Sequence, residues 1–559
     1  MKSYYITDSC IGCTLCARIC PVGAISGALK ERHKIDPNLC IRCGACGRVC
    51  AKASIQDENG HTAEKAGKRA DWPKPHIDTG RCAGCSVCVE ACPNDCLEIT
   101  SPAYRGDIRT VAELARPADC IACGFCAKEC PIDVVTMLAP GQSVEDVRGK
   151  EKRKGNTMSK LWCRTFQAGM KIGHYFIGYH MPEYIEGPGS IARLADMVKE
   201  KGLGNVLVVT DKTLLGLGLL DTMLDSMDKQ GIAYTIFNDI EVNPTSDDVE
   251  AGLEAYKKNG CRAIVAFGGG APMDCAKAIG ARVARPRKSV AKMQGILKVL
   301  KKIPPFFAVP TTSGTGSETT LAAVITDSAT HHKASINDPN LIPDYAVLDP
   351  ELTRGLPPFV TATTGMDALC HAVESYTNWT YCTKLEKKLS RDAVKLIYDN
   401  LLAAYRNGDD MEARQNMQRA SFFAGRSFTR GCVGCVHAVG HTLGGLYGVP
   451  HGLAMATILP HVMRQYGSAA HKRLAELAEV CGMEGRNDEE KALKFIEWIE
   501  QLKRAMDIPV GIDVIKSEDI PQIVAWAKAE TNPLYPTPVV WGDEDFKRLI
   551  KTISVPKAQ

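Results

Sequence analysis

The chain has 559 residues, of which 45% are hydrophobic and 24% are charged, so it can bury several cores and we expect more than one domain. Its 68 basic and 64 acidic residues give a formal net charge of +4, which argues against nucleic acid or an anionic membrane surface as the main partner. The amino-terminal sequence lacks the apolar core of a signal peptide and no run of about 18 apolar residues occurs, so export and membrane insertion are not expected.

The 25 cysteines are concentrated near the amino terminus, with 17 at or before Cys130 and 8 after it. In a cytoplasm that keeps thiols reduced, such a block indicates a metal or cluster site rather than disulfides, and we predict a cytoplasmic protein. One spacing, C-x2-C-x2-C-x3-C, occurs four times, beginning at Cys10, Cys40, Cys82 and Cys120. Each run places three thiolates on one tight loop and a fourth on the following turn.

These runs resemble two bacterial two-cluster ferredoxins in tandem, in which the fourth cysteine of each run ligates the partner cluster. The resemblance implies α+β ferredoxin-like units at residues 1–70 and 71–140, each holding two [4Fe-4S] clusters. The implied ligands are Cys10, Cys13, Cys16 and Cys50 for cluster one; Cys40, Cys43, Cys46 and Cys20 for cluster two; Cys82, Cys85, Cys88 and Cys130 for cluster three; and Cys120, Cys123, Cys126 and Cys92 for cluster four.

Three of the runs are followed by proline, at Pro21, Pro93 and Pro131, as the ferredoxin pattern expects, whereas the second is followed by Ala51. Zinc sites are the alternative, but their cysteines usually come as two separated pairs rather than four together. Cys96 lies outside the runs, and we predict that it is a buried thiol rather than a ligand.

The composition changes after the cysteine runs. Residues 141–157 are polar and charged without apolar periodicity, which predicts an exposed linker. In residues 158–348, short apolar runs such as NVLVVTD and CRAIVAFGGG alternate with amphipathic stretches, which predicts a parallel α/β domain. In residues 349–559, apolar residues recur every three or four positions, which predicts an all-helical domain.

Two motifs of the α/β domain suit a nucleotide. The first, GGGAPMDCAK at residues 268–277, follows a predicted strand and opens a helix. Glycines let the backbone approach a pyrophosphate, and the helix N-terminus offers free N–H groups and a positive dipole, although a plain tight turn is the usual alternative. The second, PTTSGTGSE at residues 310–318, has small hydroxylated residues that suit a loop around phosphate and nicotinamide.

A third constellation suggests a metal site. Asp367 and His371 are four residues apart and share a helix face, His437 and His441 repeat that spacing, and His451 follows. A single helical histidine is more often a core residue, but five candidate ligands in a chain with 13 histidines are hard to explain by packing. Spacing leaves open which three histidines bind the metal. A carboxylate with three imidazoles is compatible with Fe(II) and with Zn(II).

Together these motifs resemble the iron-containing (group III) alcohol dehydrogenase family over about residues 158–559. The resemblance implies a nucleotide-binding domain of the dehydroquinate synthase type, a helical metal-binding domain, and iron as the metal, with zinc as the alternative. It assigns Phe428 to the substrate pocket and His441 to a position beside the nicotinamide, where it is the candidate proton relay. The implied metal ligands are Asp367, His371, His437 and His451.

The resemblance also implies NAD(H) as the cofactor. A carboxylate at Asp211, which ends the strand NVLVVTD, accepts from a ribose 2′-hydroxyl and repels a 2′-phosphate, which favours NAD over NADP. Ala271 stands where the family usually has serine, so one hydroxyl contact of the family pattern is missing. The implied cofactor contacts are Asp211, Gly268, Gly269, Gly270, Asp274, Thr311, Thr312, Thr315 and Lys333.

The predicted activity is NAD-linked interconversion of a small alcohol and its aldehyde by hydride transfer, with the metal as Lewis acid. Nicotinamide exchanges two electrons as hydride whereas a cubane passes one, and no second dinucleotide fingerprint is present to hold a flavin. We therefore expect the clusters to serve a flavoprotein or ferredoxin partner, and we expect a homodimer or higher homo-oligomer. The alternatives are an electron-transfer subunit of a larger redox complex, a related polyol dehydrogenase or synthase of the same fold, and a purely structural cysteine-rich domain fused to an ordinary enzyme.

Overall fold

In a computed structural model, the chain divides into two compact units, residues 1–159 and 160–559, and each is described by itself. The structure describes residues 4–57, 60–62, 67–79, 82, 86–100, 111–130, 134–241, 243–328 and 333–555, without the side chains of residues 145–159 and 333.

The first unit is built from very short strands and helices. Its helices are α1 (Leu15–Ile19), α2 (Ala45–Val49), α3 (Val87–Glu90) and α4 (Phe125–Lys128). Its strands are β1 (Tyr5–Ile6), β2 (Ile25–Ser26), β3 (Lys34–Ile35), β4 (Ile55–Gln56), β5 (Lys74–Ile77), β6 (Glu98–Thr100), β7 (Val111–Glu113) and β8 (Val135–Leu138).

The antiparallel pairing of these strands repeats. β1 pairs with β4 around β2 and β3, which pair with each other, and β5 pairs with β8 around β6 and β7 in the same nested way. A small apolar core lies in each half, and both cores contain cysteines: Cys16 and Cys46 in the first, and Cys88, Cys92, Cys96, Cys120 and Cys126 in the second. Apart from Cys96, these cysteines are all residues that the sequence predicts as cluster ligands.

Helix α5 (Val144–Gly173) contains most of residues 141–157, which the sequence predicts as an exposed linker. The segment is rich in lysine, glutamate and arginine, which have high helix propensity even where no apolar stripe is present. A reading based on apolar periodicity therefore missed this helix. The domain limits drawn from the sequence stay predictions.

The α/β part of the second unit contains a six-stranded sheet in which every neighbouring pair is parallel, in the order β11-β10-β12-β14-β17-β9. β13, β16 and β15 form a smaller sheet. The strands are β9 (Glu183–Glu186), β10 (Val206–Val209), β11 (Tyr234–Phe237), β12 (Ala263–Gly268), β13 (Gly295–Ile296), β14 (Phe306–Pro310), β15 (Ala322–Thr326), β16 (Lys333–Asn337) and β17 (Tyr345–Leu348). The helices are α6 (Leu194–Glu200), α7 (Lys212–Gly216), α8 (Asp221–Lys229), α9 (Ser246–Lys258), α10 (Gly270–Ala284) and α11 (Val290–Met293).

Strand β10 shows why its sequence is a continuous apolar run. Successive side chains of a strand point to opposite faces, and in β10 Val206 and Val208 join one core while Leu207 and Val209 join the core on the other face. All four side chains are fully buried. The sheet is thus covered on both sides, as a parallel α/β sheet requires.

The remainder of the second unit is helical, as the sequence predicts. One large core lies among its helices, and α12 packs against α13, α14 and α16. The helices are α12 (Pro358–Thr377), α13 (Lys384–Arg406), α14 (Met411–Gly431), α15 (Cys435–Tyr447), α16 (His451–Tyr466), α17 (Ser468–Val480), α18 (Asp488–Ala505), α19 (Ile520–Thr531) and α20 (Asp543–Ile553). Within the described part of the chain, no helix has both the length and the apolarity needed to cross a bilayer.

Candidate functional site

Three helices bring the four predicted metal ligands together. Helix α12 carries Asp367 and His371, α15 carries His437, and α16 begins at His451. The Oδ1 atom of Asp367 lies 3.4 Å from Nε2 of His451, 3.8 Å from Nε2 of His437 and 3.9 Å from Nδ1 of His371. The three imidazoles therefore converge on one oxygen of the Asp367 carboxylate.

Three of these ligand atoms are buried without a hydrogen-bond partner among the described residues: Asp367 Oδ1, His371 Nδ1 and His437 Nε2. A buried polar atom left unpaired costs about 1–3 kcal/mol, so three of them in one place indicate a ligand that the chain is built to hold. A divalent cation would satisfy all three, and one carboxylate with imidazoles suits Fe(II) or Zn(II). The residues fit the predicted metal.

The electrostatics of the group match this assignment. Burial alone would raise the pKa of Asp367, but His371, His451 and His437 hold it well below its ordinary value. Burial lowers the pKa of His371 to about 3, so this imidazole is neutral at physiological pH. An ionised carboxylate and neutral imidazoles are the protonation states that coordinate a metal. The His451 side chain is 42% exposed, so the group is open to solvent on that side.

A second carboxylate on α12, missed in the sequence analysis, orients one of the histidines. Oε2 of Glu374 lies 2.5 Å from Nδ1 of His437, and its Oε1 accepts a hydrogen bond of 2.8 Å from the backbone N–H of Val436. This contact places the His437 proton on Nδ1 and leaves the Nε2 lone pair facing Asp367. Burial raises the pKa of Glu374 to about 7. Its spacing of seven residues from Asp367, on the same helix face, was the available signal.

The two predicted substrate-side residues lie next to the same group. The Phe428 ring, from α14, stacks on the His371 ring with 4.1 Å between centroids. The His441 ring stacks on that of His451 at 5.3 Å, and its Nδ1 lies 2.7 Å from Oε1 of Glu530. The Tyr535 hydroxyl donates to the same Glu530 oxygen at 3.0 Å. Glu530 and Tyr535 come from the carboxyl-terminal part of the chain, and no local motif pointed to them.

The predicted nucleotide contacts cluster at one edge of the sheet. Asp211 follows β10, the glycines end β12, and Thr311 follows β14, and these three strands are adjacent and parallel. Such an edge is where ligands bind in open α/β sheets. Oδ1 of Asp211 accepts a hydrogen bond of 2.9 Å from the backbone N–H of Leu214, which caps α7. Lys333 begins β16, and its side chain lies outside the described residues.

The loop of residues 310–318, called the threonine loop below, packs on the glycine turn of residues 268–270. A Cβ atom at Gly269 would lie 3.6 Å from Oγ1 of Thr312, and one at Gly270 would lie 3.4 Å from Cγ2 of Thr315. Gly268 has a φ of +146°, a conformation that side chains disfavour, and a Cβ there would meet Pro272 at 2.7 Å. The turn thus presents bare backbone at the start of the 15-residue helix α10.

Two side chains of α10, the partly buried Asp274 and the buried Lys277, hold the end of this loop. Both carboxylate oxygens of Asp274 accept hydrogen bonds, from the Ser317 hydroxyl at 3.1 Å and from the Val324 N–H at 3.0 Å. Nζ of Lys277 lies within 2.6–3.1 Å of five oxygens of Ser317, Thr320 and Ala322. Asp274, predicted as a cofactor contact, is therefore engaged within the protein, and Lys277 is a supporting residue that the motif reading missed.

The threonine loop also meets helix α12, which carries Asp367 and His371. A Cβ atom at Gly314 would lie 2.7 Å from Cβ of Thr364, which is three residues before Asp367 on α12. Only glycine permits so close an approach of the loop backbone. The loop that follows β14 at the sheet edge therefore lies against the helix that carries Asp367 and His371.

In the first unit, three cavities are lined by cysteine sets that the ferredoxin resemblance implies, with Cys96 in addition in the third. The cavities have similar volumes of about 360, 320 and 310 Å³, parts of which are open to solvent. They are lined respectively by Cys10, Cys13, Cys16 and Cys50; by Cys20, Cys40, Cys43 and Cys46; and by Cys92, Cys96, Cys120, Cys123 and Cys126. Four thiols around one cavity suit a [4Fe-4S] cluster. Cys85, a predicted ligand of cluster three, lies outside the described residues.

Comparison with known proteins agrees with both halves of this description. Residues 182–350 match the iron-containing alcohol dehydrogenase family, and residues 361–554 match the carboxyl-terminal domain of that family. Residues 9–54 and 81–134 match the 4Fe-4S dicluster domain.

The matches to individual relatives span most of the length of each relative. Alcohol dehydrogenase 4 of Schizosaccharomyces pombe is 37% identical over 368 residues, which are 64% of this chain and 86% of that protein. Lactaldehyde reductase of Escherichia coli K12 is 36% identical over 345 residues, 60% of this chain and 89% of that protein. The crystal structure of sulfoacetaldehyde reductase from Bifidobacterium kashiwanohense in complex with NAD+ has 30% identity and a TM-score of 0.61, and covers 68% of this chain and 98% of that one.

The family models, the relatives and the converging side chains of the predicted metal ligands all support the same family assignment. The chain belongs to the iron-containing alcohol dehydrogenase family of oxidoreductases, and its amino-terminal part carries iron–sulfur dicluster sequences.

Proposed function

We propose that the chain is an iron-dependent, NAD-linked alcohol dehydrogenase or aldehyde reductase that interconverts a small alcohol and its aldehyde by hydride transfer. The observation that carries this proposal is the set of three buried, unpartnered ligand atoms on Asp367, His371 and His437, with His451 beside them. Zinc fits the same ligands, so iron rests on the family. The substrate class, small alcohols and aldehydes, fits the names of the relatives above.

When bound, the metal supplies Lewis acidity toward the substrate oxygen. The rest of the work falls to the chain's own residues. Glu374 holds the His437 ring in its ligand orientation. In this proposal His441, hydrogen-bonded to Glu530, takes or gives the proton of the substrate hydroxyl, and Phe428 supplies an apolar wall; the contacts of the two rings with the ligand histidines support these roles.

The nicotinamide must lie between the threonine loop and the metal ligands for hydride to reach the substrate carbon. The close approach of Gly314 to Thr364 supports this placement because it brings the loop next to α12. We assign Asp211, Gly268, Gly269, Gly270, Asp274, Thr311, Thr312, Thr315 and Lys333 to the cofactor site, with Asp211 favouring NAD over NADP.

We propose further that residues 1–140 form two tandem ferredoxin-like units with four [4Fe-4S] clusters. The repeated nested strand pairing and the three cysteine-lined cavities support this arrangement. Because a cubane carries single electrons, the clusters would exchange them with a flavoprotein or ferredoxin partner. The concentration of reduced cysteines favours a cytoplasmic location, and we propose a homodimer or higher homo-oligomer.

The test begins with anaerobic purification, analysis of iron, sulfide and flavin, and assay of an aldehyde panel with NADH and with reduced ferredoxin. The Asp367→Asn variant should keep its sulfide but lose NADH-dependent aldehyde reduction. The matched variant Cys13→Ala should lose cluster iron and sulfide but keep that activity, because its ligand set lies in the other unit. Wild-type activity in Asp367→Asn would overturn the metal assignment, and a bound flavin would overturn the need for an external flavin partner.

A further inference from the structure

Cys96 lies outside the four cysteine runs, yet the structure places it against a predicted cluster ligand. It is 3% exposed, and its Sγ lies 3.2 Å from Sγ of Cys92. It lines the same cavity as Cys120, Cys123 and Cys126, the other predicted ligands of cluster four. The cavity therefore has five thiols where a cubane needs four.

The internal repeat of the chain explains why this position matters. In every run, the sulfur of the fourth cysteine accepts a hydrogen bond from the backbone N–H four residues later. The pairs are Ala24 to Cys20 at 3.3 Å, Ser54 to Cys50 at 3.2 Å, Cys96 to Cys92 at 3.4 Å and Val134 to Cys130 at 3.5 Å. The residue four positions after the fourth cysteine consequently lies beside a predicted ligand sulfur.

At this position, the four runs differ in what the side chain can donate. Alanine and valine, at Ala24 and Val134, have no donor. The Ser54 hydroxyl accepts a hydrogen bond of 3.0 Å from the Ser9 hydroxyl, and among the described residues only the Ser54 backbone N–H, not its hydroxyl, is bonded to the Cys50 sulfur. Cys96 has a thiol within hydrogen-bond reach of the ligand sulfur, so cluster four alone of these four positions receives a second donor on its crossing ligand.

A donor at this place has a defined effect on the cluster. A ligating cysteine is a thiolate, and adding an electron to the cluster increases the negative charge on its sulfurs. A hydrogen bond to such a sulfur stabilises the reduced state more than the oxidised state, and hydrogen bonds to the sulfurs are among the features that set cluster potentials.

We propose that the Cys96 thiol donates a hydrogen bond to the Cys92 sulfur and thereby raises the reduction potential of cluster four. Cys96 is then a tuning residue and not a ligand. This inference rests on the proposed function, since it assumes that Cys92, Cys120, Cys123 and Cys126 ligate a cluster. It goes beyond that function by predicting that cluster four is reduced more readily than it would be without the Cys96 thiol.

The test is a potentiometric titration of the anaerobically purified full chain, followed by electron paramagnetic resonance. Cys96→Ala should shift one midpoint potential to a more negative value and leave the other midpoints, the iron content and the sulfide content unchanged. Cys96→Ser should shift it less, because a hydroxyl still donates. Ala24→Cys introduces the same donor beside Cys20 and should move a different midpoint in the positive direction.

Cys481→Ala, which removes a buried thiol of the second unit, is the control and should shift no midpoint. Unchanged midpoints in Cys96→Ala would overturn the proposal, as would the loss of one cluster's iron and sulfide, which would make Cys96 a ligand. Wild-type chain without iron and sulfide would instead overturn the cluster assignment itself. The metal analysis and the titration thus distinguish a failure of the Cys96 proposal from a failure of the cluster assignment.

Discussion

The role of Glu374 can be tested by replacing it with glutamine, which keeps its shape. The carboxylate accepts from His437 Nδ1 at 2.5 Å and from the Val436 N–H at 2.8 Å. A glutamine has one oxygen and one NH2 group, so one of the two bonds becomes a contact between two donors. Removal of a partner that orients a metal ligand lowers metal affinity by about 10- to 100-fold. That corresponds to about 1.4–2.7 kcal/mol, within the range for losing a hydrogen bond to a charged group.

The assay is competition for the metal between the anaerobic protein and a chelator of known affinity. Glu476→Gln is the matched control, because Oε2 of Glu476 also accepts two hydrogen bonds, from the Tyr376 hydroxyl at 2.6 Å and from Arg473 at 3.0 Å. Neither partner belongs to the metal group. Glu374→Gln should bind the metal more weakly and the control should not. A metal affinity for Glu374→Gln within about twofold of the wild type would refute the orienting role.

Three further predictions concern the second unit. Removing the metal with a chelator should lower the melting temperature of this unit, because an ion at 1,000 times its dissociation constant contributes about 4 kcal/mol to the free energy of unfolding. An unchanged melting temperature would contradict the metal site. Lys277→Met should destabilise the unit by about 3 kcal/mol in urea, because the loop oxygens at Ser317 and Thr320 lose their donor. It should also raise the KM for NADH. An unchanged KM would show that the loop does not depend on Lys277. Burial, and then the charge of Arg430, lower the pKa of His174 from 6.5 to about 4, so the unfolded chain binds a proton in this pH interval that the folded chain does not. Stability should therefore fall as pH decreases from 6.5 to 4, by about 2 kcal/mol after allowance for solvent screening, and His174→Phe should lose less; equal losses would rule out this histidine.

The sequence predicts those features that depend on local spacing. The spacing within each cysteine run places three thiols on one loop and a fourth on the following turn. The continuous apolar run of β10 reflects burial on both faces of the sheet. The pairs Asp367 with His371 and His437 with His441 are each one helical turn apart, so their shared faces follow from helix geometry.

The features that sequence reasoning missed depend on contacts between distant segments. Glu374 acts only because α15 brings His437 against α12, and Glu530 reaches His441 from 89 residues further along the chain. Helix α5 was missed for a different reason, since its charged residues favour a helix without producing an apolar stripe. Spacing patterns do not contain this information.

The contact of Gly314 with Thr364 has a thermodynamic consequence. The threonine loop, which we propose binds the dinucleotide, cannot move toward α12 without displacing the helix that carries Asp367 and His371. If the dinucleotide and the metal occupy the proposed sites, each restricts the same stretch of backbone, and we expect the two binding equilibria to be linked. By reciprocity, whatever factor the bound ion contributes to dinucleotide affinity, the dinucleotide contributes equally to retention of the ion.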